Sequence, residues 1–324
     1  DALGAHGRVL MVLRRFDEAA VAYERASGLA PDEPDYLLQL GKCRVALQQP
    51  EEALGPLRRV VTLDPDSAPA LVALGDALFQ AGQQDQAEEE YKRALEIDPE
   101  LGPVQLAVAR MHLGREEHAE AEAAFRRAAA RPETEVDAAV ALGNMLSDLD
   151  RQEAAVAAWA PAVEIASSDF ALQMSHGAAL CGLGRHGEAL HSLERAVEAR
   201  PEDGAALHAL GECFIELSRW TQAADTLKRA TEAQPDSAPT FVLLGTARRQ
   251  LGRYDEAAAA LARATELDPE RLDTWIELAR LTLEREDFEA AAAAYEKARA
   301  LNPDDPKVLA GLAAALLGLG KEQE

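Results

Sequence analysis

The sequence predicts an all-α solenoid of stacked helix-turn-helix repeats, on three observations. The first is a period of 34 residues without insertion or deletion: units 1–33, 34–67, 68–101, 102–135, 136–169, 170–203, 204–237, 238–271 and 272–305, then a half unit at 306–324. The second is a set of small-residue columns in phase with it. One column reads Gly7, Gly41, Gly75, Ala109, Gly143, Gly177, Gly211, Gly245, Ala279 and Ala313, and another is Ala from Ala19 through Ala291. A third runs Ala26, Val60 and then Ala from Ala94 to Ala298. The third observation is closure of most units on a proline: Pro31, Pro65, Pro99, Pro201, Pro235, Pro269 and Pro303. A repeat this short cannot bury its apolar face alone, so neighbours must stack, and one continuous array over residues 1–324 is expected.

The unit 68–101 shows the local logic. Leu71, Leu74, Gly75 and Leu78 recur at the spacing of an apolar helical face, so a first helix is expected there. Gly82 and its polar neighbours end it, because glycine tolerates the positive φ of a helix terminus. Ala87, Tyr91, Ala94 and Leu95 mark the inner face of a second helix, and Glu88, Glu89, Glu90, Lys92 and Arg93 face water. Antiparallel helices approach closely only where side chains are small, which explains Gly75, Ala87 and Ala94.

Taken in order, the other units repeat this plan with local departures. Unit 1–33 lacks its first residue, and unit 34–67 carries Gly55-Pro56 inside its second helix. Unit 102–135 opens on Gln105 in place of a large apolar residue, and its Pro132 comes one position early. Unit 136–169 opens on Ala139, holds Pro161 within a second helix, and ends on Ser167-Ser168-Asp169 where a proline is expected. Unit 170–203 opens on Gln173, so the middle of the array reads as less tightly specified. An interior proline removes a hydrogen bond and costs roughly 3 kcal/mol or a kink, so bending is expected at Pro56 and Pro161. Units 204–237, 238–271 and 272–305 follow the pattern closely. The last helix presents Leu309, Leu312, Leu316 and Leu317 with no second helix after it.

Composition narrows the function. With 33 basic and 57 acidic residues the formal net charge is −24, a field that repels phosphate backbones and anionic lipid, so neither nucleic acid nor membrane insertion is expected. The longest apolar run, Val308 to Leu319, is too short to span a bilayer. Cys43, Cys181 and Cys213 lack the paired spacing of a zinc ribbon or disulfide framework and read as small buried thiols in a reducing compartment. No HExxH, P-loop or dinucleotide glycine signature is present, and neither catalytic residues, metal ligands nor cofactors are assigned. His6 and His176 fall in the core column and are expected to be packed; His112, His118, His186 and His191 fall at helix ends and turns.

These columns resemble the tetratricopeptide repeat over essentially the whole chain. The opening positions carry Leu3, Leu37, Leu71, Leu207, Phe241, Trp275 and Leu309. The large second-helix position carries Tyr23, Leu57, Tyr91, Phe125, Trp159, Leu193, Leu227, Leu261 and Tyr295. The resemblance implies a right-handed superhelix with first helices lining a concave groove, and a role in holding other proteins. Residues that would then line the groove are Leu38, Val72, Leu106, Val140, Met174, His208, Val242 and Ile276 in an apolar column, and Lys42, Asp76, Arg110, Asn144, Glu212 and Arg280 in a polar one. A third strip adds Phe79 and Arg249. Apolar anchors beside variable charges suit an amphipathic helix or an extended segment. Phe79, Arg110, Asn144, Arg249 and Arg280 stand out, because such side chains have little reason to serve packing between units. The Lys-and-Asn carboxylate clamp of some members is not assembled, since Val140, not Lys, precedes Asn144 by one turn. The Asn ladder of sugar-transferase arrays is absent too, with Asn144 and Asn302 the only asparagines.

The resulting expectation is a non-enzymatic scaffold or adaptor that holds a protein or peptide segment in its groove and recruits it to a larger assembly, such as envelope, secretion, motility or polarity machinery, with a cytoplasmic location. Two alternatives stand beside it. One is the recruiting arm of a larger enzyme, suggested by the start at Asp1, which points to a longer natural chain. The other is a self-assembling array joined through the Leu309–Leu317 helix.

Overall fold

The computed structural model describes residues 2–320, and among them the chain is α-helical, with nineteen helices and short connections. First helices are α1 (Ala2–Val12), α3 (Pro34–Ala46), α5 (Ala68–Gln80), α7 (Gly102–Gly114), α9 (Glu135–Asp148), α11 (Phe170–Gly182), α13 (Gly204–Glu216), α15 (Ala238–Gln250), α17 (Leu272–Glu284) and α19 (Pro306–Gly318). Second helices are α2 (Phe16–Leu29), α4 (Pro50–Leu63), α6 (Gln84–Ile97), α8 (His118–Ala129), α10 (Gln152–Ile165), α12 (His186–Ala199), α14 (Trp220–Ala233), α16 (Tyr254–Leu267) and α18 (Phe288–Leu301). The chain divides into two compact units, residues 1–144 and 145–324.

Within the first unit α1 pairs with α2, α3 with α4, α5 with α6 and α7 with α8, and α2, α4 and α6 lie against α3, α5 and α7. The second unit repeats this from α10 to α19. First helices also touch one another two elements apart, α3 on α5 in the first unit and α11 on α13, α13 on α15 and α15 on α17 in the second. Same-side contact of this kind makes the first-helix side the inner side of each unit.

The small-residue columns have a direct steric cause. A Cβ built on Gly75 would sit 2.5 Å from the Tyr91 ring, one on Gly177 2.8 Å from Leu193, and one on Gly245 2.7 Å from Leu261. Gly7 faces Tyr23, Gly41 faces Leu57 and Gly211 faces Leu227 in the same way. The glycine column and the large second-helix column are therefore two halves of one contact, repeated unit after unit, and the large residues are almost fully buried. The overpacking cost of filling such a site is about 1–3 kcal/mol.

Two of the sequence departures are tied in place by hydrogen bonds. Gln105 is buried and its Nε2 donates to the Pro99 carbonyl at 2.5 Å, while buried Gln173 donates to the Val163 carbonyl at 2.9 Å. Trp275 Nε1 does the same to the Pro269 carbonyl at 2.8 Å. At Gln105, Gln173 and Trp275 the opening side chain thus ties back to the end of the preceding second helix. Each of these glutamines is tied through its Nε2 alone, its buried Oε1 having no hydrogen-bond partner, and Ala139 fills the same position with a methyl group. Asp169 caps α11, accepting from the Leu172 amide, as its equivalent Asp203 does from Ala206 one unit later. Helices α4 and α10 run through Pro56 and Pro161 without ending.

Candidate functional site

A cavity of about 620 Å³ in the first unit opens on the inner side between α3, α5 and the start of α7. Its walls are apolar: Val45 and Ala46 from α3, Ala68, Pro69, Val72 and Ala73 from α5, and Leu101, Pro103 and Val104 at the entry to α7. Three charged side chains interrupt them, Lys42, Asp76 and Asp98. The 34-residue period places this wall, because equivalent first-helix positions of successive units fall side by side. Val72 is half-buried with its inner edge against the core that holds Leu74, Leu78 and Val104. Asp76 is held at the floor by the Tyr91 hydroxyl, which donates to Oδ1 at 2.7 Å. Burial raises the Asp76 carboxyl above its ordinary range, opposed by the Tyr91 hydrogen bond and by Lys42. Burial and the neighbouring carboxylate push the Tyr91 phenol up as well.

Of the groove residues expected from sequence, Lys42, Val72 and Asp76 are brought together in this cavity. Leu38 packs beside it against the buried clusters of α4 and α5. Leu106 and Val242 are buried, and Val140, Met174 and Ile276 are half-buried, so much of the apolar column is engaged within the stack. Phe79 is 43% exposed at the edge of α5, outside the cavity wall, and Arg110, Asn144 and Glu212 are exposed. His208 is half-buried, its Nδ1 2.9 Å from Thr240 Oγ1 on the next first helix, and burial lowers its pKa.

Arg249 requires correction. Its exposure is 6%, and it forms ion pairs with Glu277 at 3.4 Å and with Glu284, both on the next first helix. Glu277 also accepts from Arg280 at 3.0 Å and from Thr246 at 3.2 Å. A long guanidinium therefore serves packing between repeats, because its fork reaches two carboxylates that a neighbouring helix holds about two turns apart. His6 is exposed rather than packed, whereas His176 is half-buried with its Nδ1 2.8 Å from Ser192 Oγ. In α19, Leu312 packs inward with Val308 and Ala315, and the outward apolar residues are Leu309, 45% exposed, and Leu317, 60% exposed.

One grouping escaped the sequence reading. Cys181, His186 and Cys213, taken from sequence as unrelated residues, have their donor atoms within 4.8 Å of one another. The signal that could have found the cysteines is a spacing of 32. It also brings Cys43 Sγ to 3.0 Å from Met11 Sδ and His208 to Thr240, since first-helix residues 32 apart face each other across successive units. Among the described residues no helix is long and apolar enough to cross a membrane.

Comparison with known proteins agrees with the architecture. A family model described as tetratricopeptide repeat matches residues 5–68 and 44–101, and one described as cilia and flagella-associated protein 70 C-terminal domain matches residues 133–324. No curated protein sequence matches the chain significantly. Among solved structures, the chain is similar to YrrB, described as a TPR protein with an unusual peptide-binding site. The identity is 25% over 57% of this chain and 96% of that one, with a TM-score of 0.51. It is also similar to a thermophilic TPR protein of Thermus thermophilus, TTC0263, at 27% identity, 55% and 97% coverage and a TM-score of 0.43. A third is the APC/C hetero-tetramer Cut9-Hcn1, at 19% identity, 93% and 59% coverage and a TM-score of 0.48. With its repeat geometry and the two family matches together, the chain is a tetratricopeptide repeat protein, belonging over residues 133–324 to the family described as the cilia and flagella-associated protein 70 C-terminal domain.

Proposed function

We propose that this chain is a non-enzymatic scaffold that holds a segment of another protein on the inner side of α3, α5 and α7, recruiting it to a larger assembly. The observation that carries the reading is the 620 Å³ cavity, whose apolar wall is broken by Lys42 and Asp76. An apolar side chain of the guest fills such a space, and charges of both signs beside it fix register, the division of labour by which grooves recognise peptides. The likeness to YrrB, whose description names a peptide-binding site, supports the same use of the fold.

The test uses two substitutions at the cavity that leave the core alone. Ala46 is exposed at the wall, so Ala46→Trp fills the space, and Lys42→Glu reverses the charge. Partners recovered on the wild-type chain are measured against each variant by calorimetry or fluorescence anisotropy. Both are expected to weaken binding at least tenfold, about 1.4 kcal/mol, with helical content and melting unchanged. Affinity equal to wild type in both variants rejects this surface as the binding site.

A further inference from the structure

We propose that Cys181, His186 and Cys213 form a zinc site in the second unit. The three residues come from consecutive elements: Cys181 from the last turn of α11, His186 from the first position of α12, and Cys213 from α13 of the next repeat. The turn between α11 and α12, which passes through Gly184 at φ +71°, folds His186 back toward Cys181, and the repeat brings Cys213 alongside. All three donor atoms lie within 4.8 Å of one another. Tetrahedral zinc, with bonds of about 2.3 Å to sulfur and 2.0 Å to nitrogen, needs donors roughly 3.5 Å apart, so small side-chain rotations close the site. A second feature points to a ligand: His186 Nδ1 is buried and has no hydrogen-bond partner, which is costly for an imidazole nitrogen in a folded chain.

Two thiolates and an imidazole are a soft donor set suited to a d¹⁰ cation, and three protein ligands leave a fourth position for water or an exogenous donor. Cys213 is fully buried and donates to the His186 carbonyl at 3.1 Å, while Cys181 and His186 are half-buried, which leaves an approach for the ion from solvent. Binding replaces the two thiol protons, released to solvent, by two Zn–S bonds. The acidic residues Glu194, Glu212 and Glu216 contribute a negative field around the thiols, opposed by Arg219, which suits a cation. Occupancy ties α11, α12 and α13 at one point and so fixes one repeat against the next.

The experiment is zinc titration of the reduced full chain against a chromophoric chelator, with cobalt substitution as a spectroscopic check. One zinc per chain is expected, at about 0.1 µM or tighter, the weak end of structural zinc affinities, with a thiolate-to-cobalt absorption band and a raised melting temperature. Cys181→Ser and His186→Ala are both half-buried positions, and each is expected to weaken binding at least tenfold, while Cys43→Ser leaves it unchanged. Cys213 is left intact because its burial makes a folding defect the first consequence of changing it. No zinc retained against the chelator overturns the proposal. So does zinc whose affinity is the same in His186→Ala, which assigns the ion to surface carboxylates.

Discussion

At the scale of single residues, Asp76 shows a charge held in a cavity wall at a cost in stability. Its carboxylate is held in a half-buried wall by the Tyr91 hydroxyl and Lys42, yet burial outweighs them and raises its pKa above the ordinary 3.8. Below pH 3.8 both folded and unfolded chains hold the proton. As pH rises through the folded pKa, the folded state is forced to ionise a buried group, and from there to neutrality the cost is complete. Asp76→Asn keeps an acceptor for Tyr91 and removes that cost. The expected outcome is a higher melting temperature at pH 7 than wild type, with the difference shrinking toward pH 4, together with weaker partner binding. A lower melting temperature at pH 7 would show that the Lys42 attraction outweighs burial. Trading stability for a charge in a cavity is common at functional sites. Asp76 was legible as a groove candidate from column position alone, but its link to Tyr91 was not, because that contact joins two helices whose relative rotation only the packing sets.

At the scale of elements, the turn within each repeat carries a uniform backbone signature. Residues Arg14, Gln48, Gly82, Glu116, Asp150, Gly184, Ser218, Gly252, Glu286 and Gly320 all take φ between +55° and +75°, one per period. The turn holds this left-handed conformation whether or not glycine is present, because the amide of the same residue and of the next both return to the helix, as Gly252 does to Arg249 and Arg253 to Arg248. Gly252→Ala introduces a Cβ where L-residues are strained and is expected to cost about 1 kcal/mol, and Ser218→Gly to give a smaller change of opposite sign. Both are read as shifts of the urea midpoint, and an unchanged midpoint for Gly252→Ala would show that the turn relaxes. Helix number, order and the three-residue turn were readable from the period, with Gly82 marking the position. The six non-glycine turns were not, since Arg14, Gln48, Glu116, Ser218 and Glu286 carry no left-handed preference and Asp150 only a modest one. For the same reason of hidden geometry the substitutions at Gln105 and Gln173 read as weak points. Their ties to the Pro99 and Val163 carbonyls depend on where the preceding helix ends.

At the scale of the whole molecule, charge is the dominant feature that packing does not absorb. Many of the basic side chains are committed to local carboxylates: Arg44 reaches Glu24 and Glu52, Arg115 reaches Asp85 and Glu88, Arg195 reaches Glu164, and Arg249 joins Glu277 and Glu284. The acidic excess, 57 against 33, therefore stands largely unneutralised over the surface, at a formal net charge of −24. Pairs within about 4 Å and partly buried are screened weakly by salt, whereas repulsion among charges roughly 10–30 Å apart is screened strongly, because the Debye length falls from about 30 Å at 0.01 M to about 4 Å near 0.5 M. Raising NaCl across that range should remove the long-range repulsion while leaving ties such as Arg249 to Glu277 nearly intact. The melting temperature is expected to rise by a few degrees, followed by circular dichroism at 222 nm in a buffer of fixed pH. A fall over the same range would mean that the exposed pairs, such as Arg15 with Glu18 and Arg263 with Glu266, contribute more than the net field costs. The same field would govern encounter with the proposed guest. For the proposed guest, a basic segment would be attracted from a distance at low salt, so its association rate is expected to drop steeply with NaCl, whereas a dissociation rate set by the proposed cavity contact should change little.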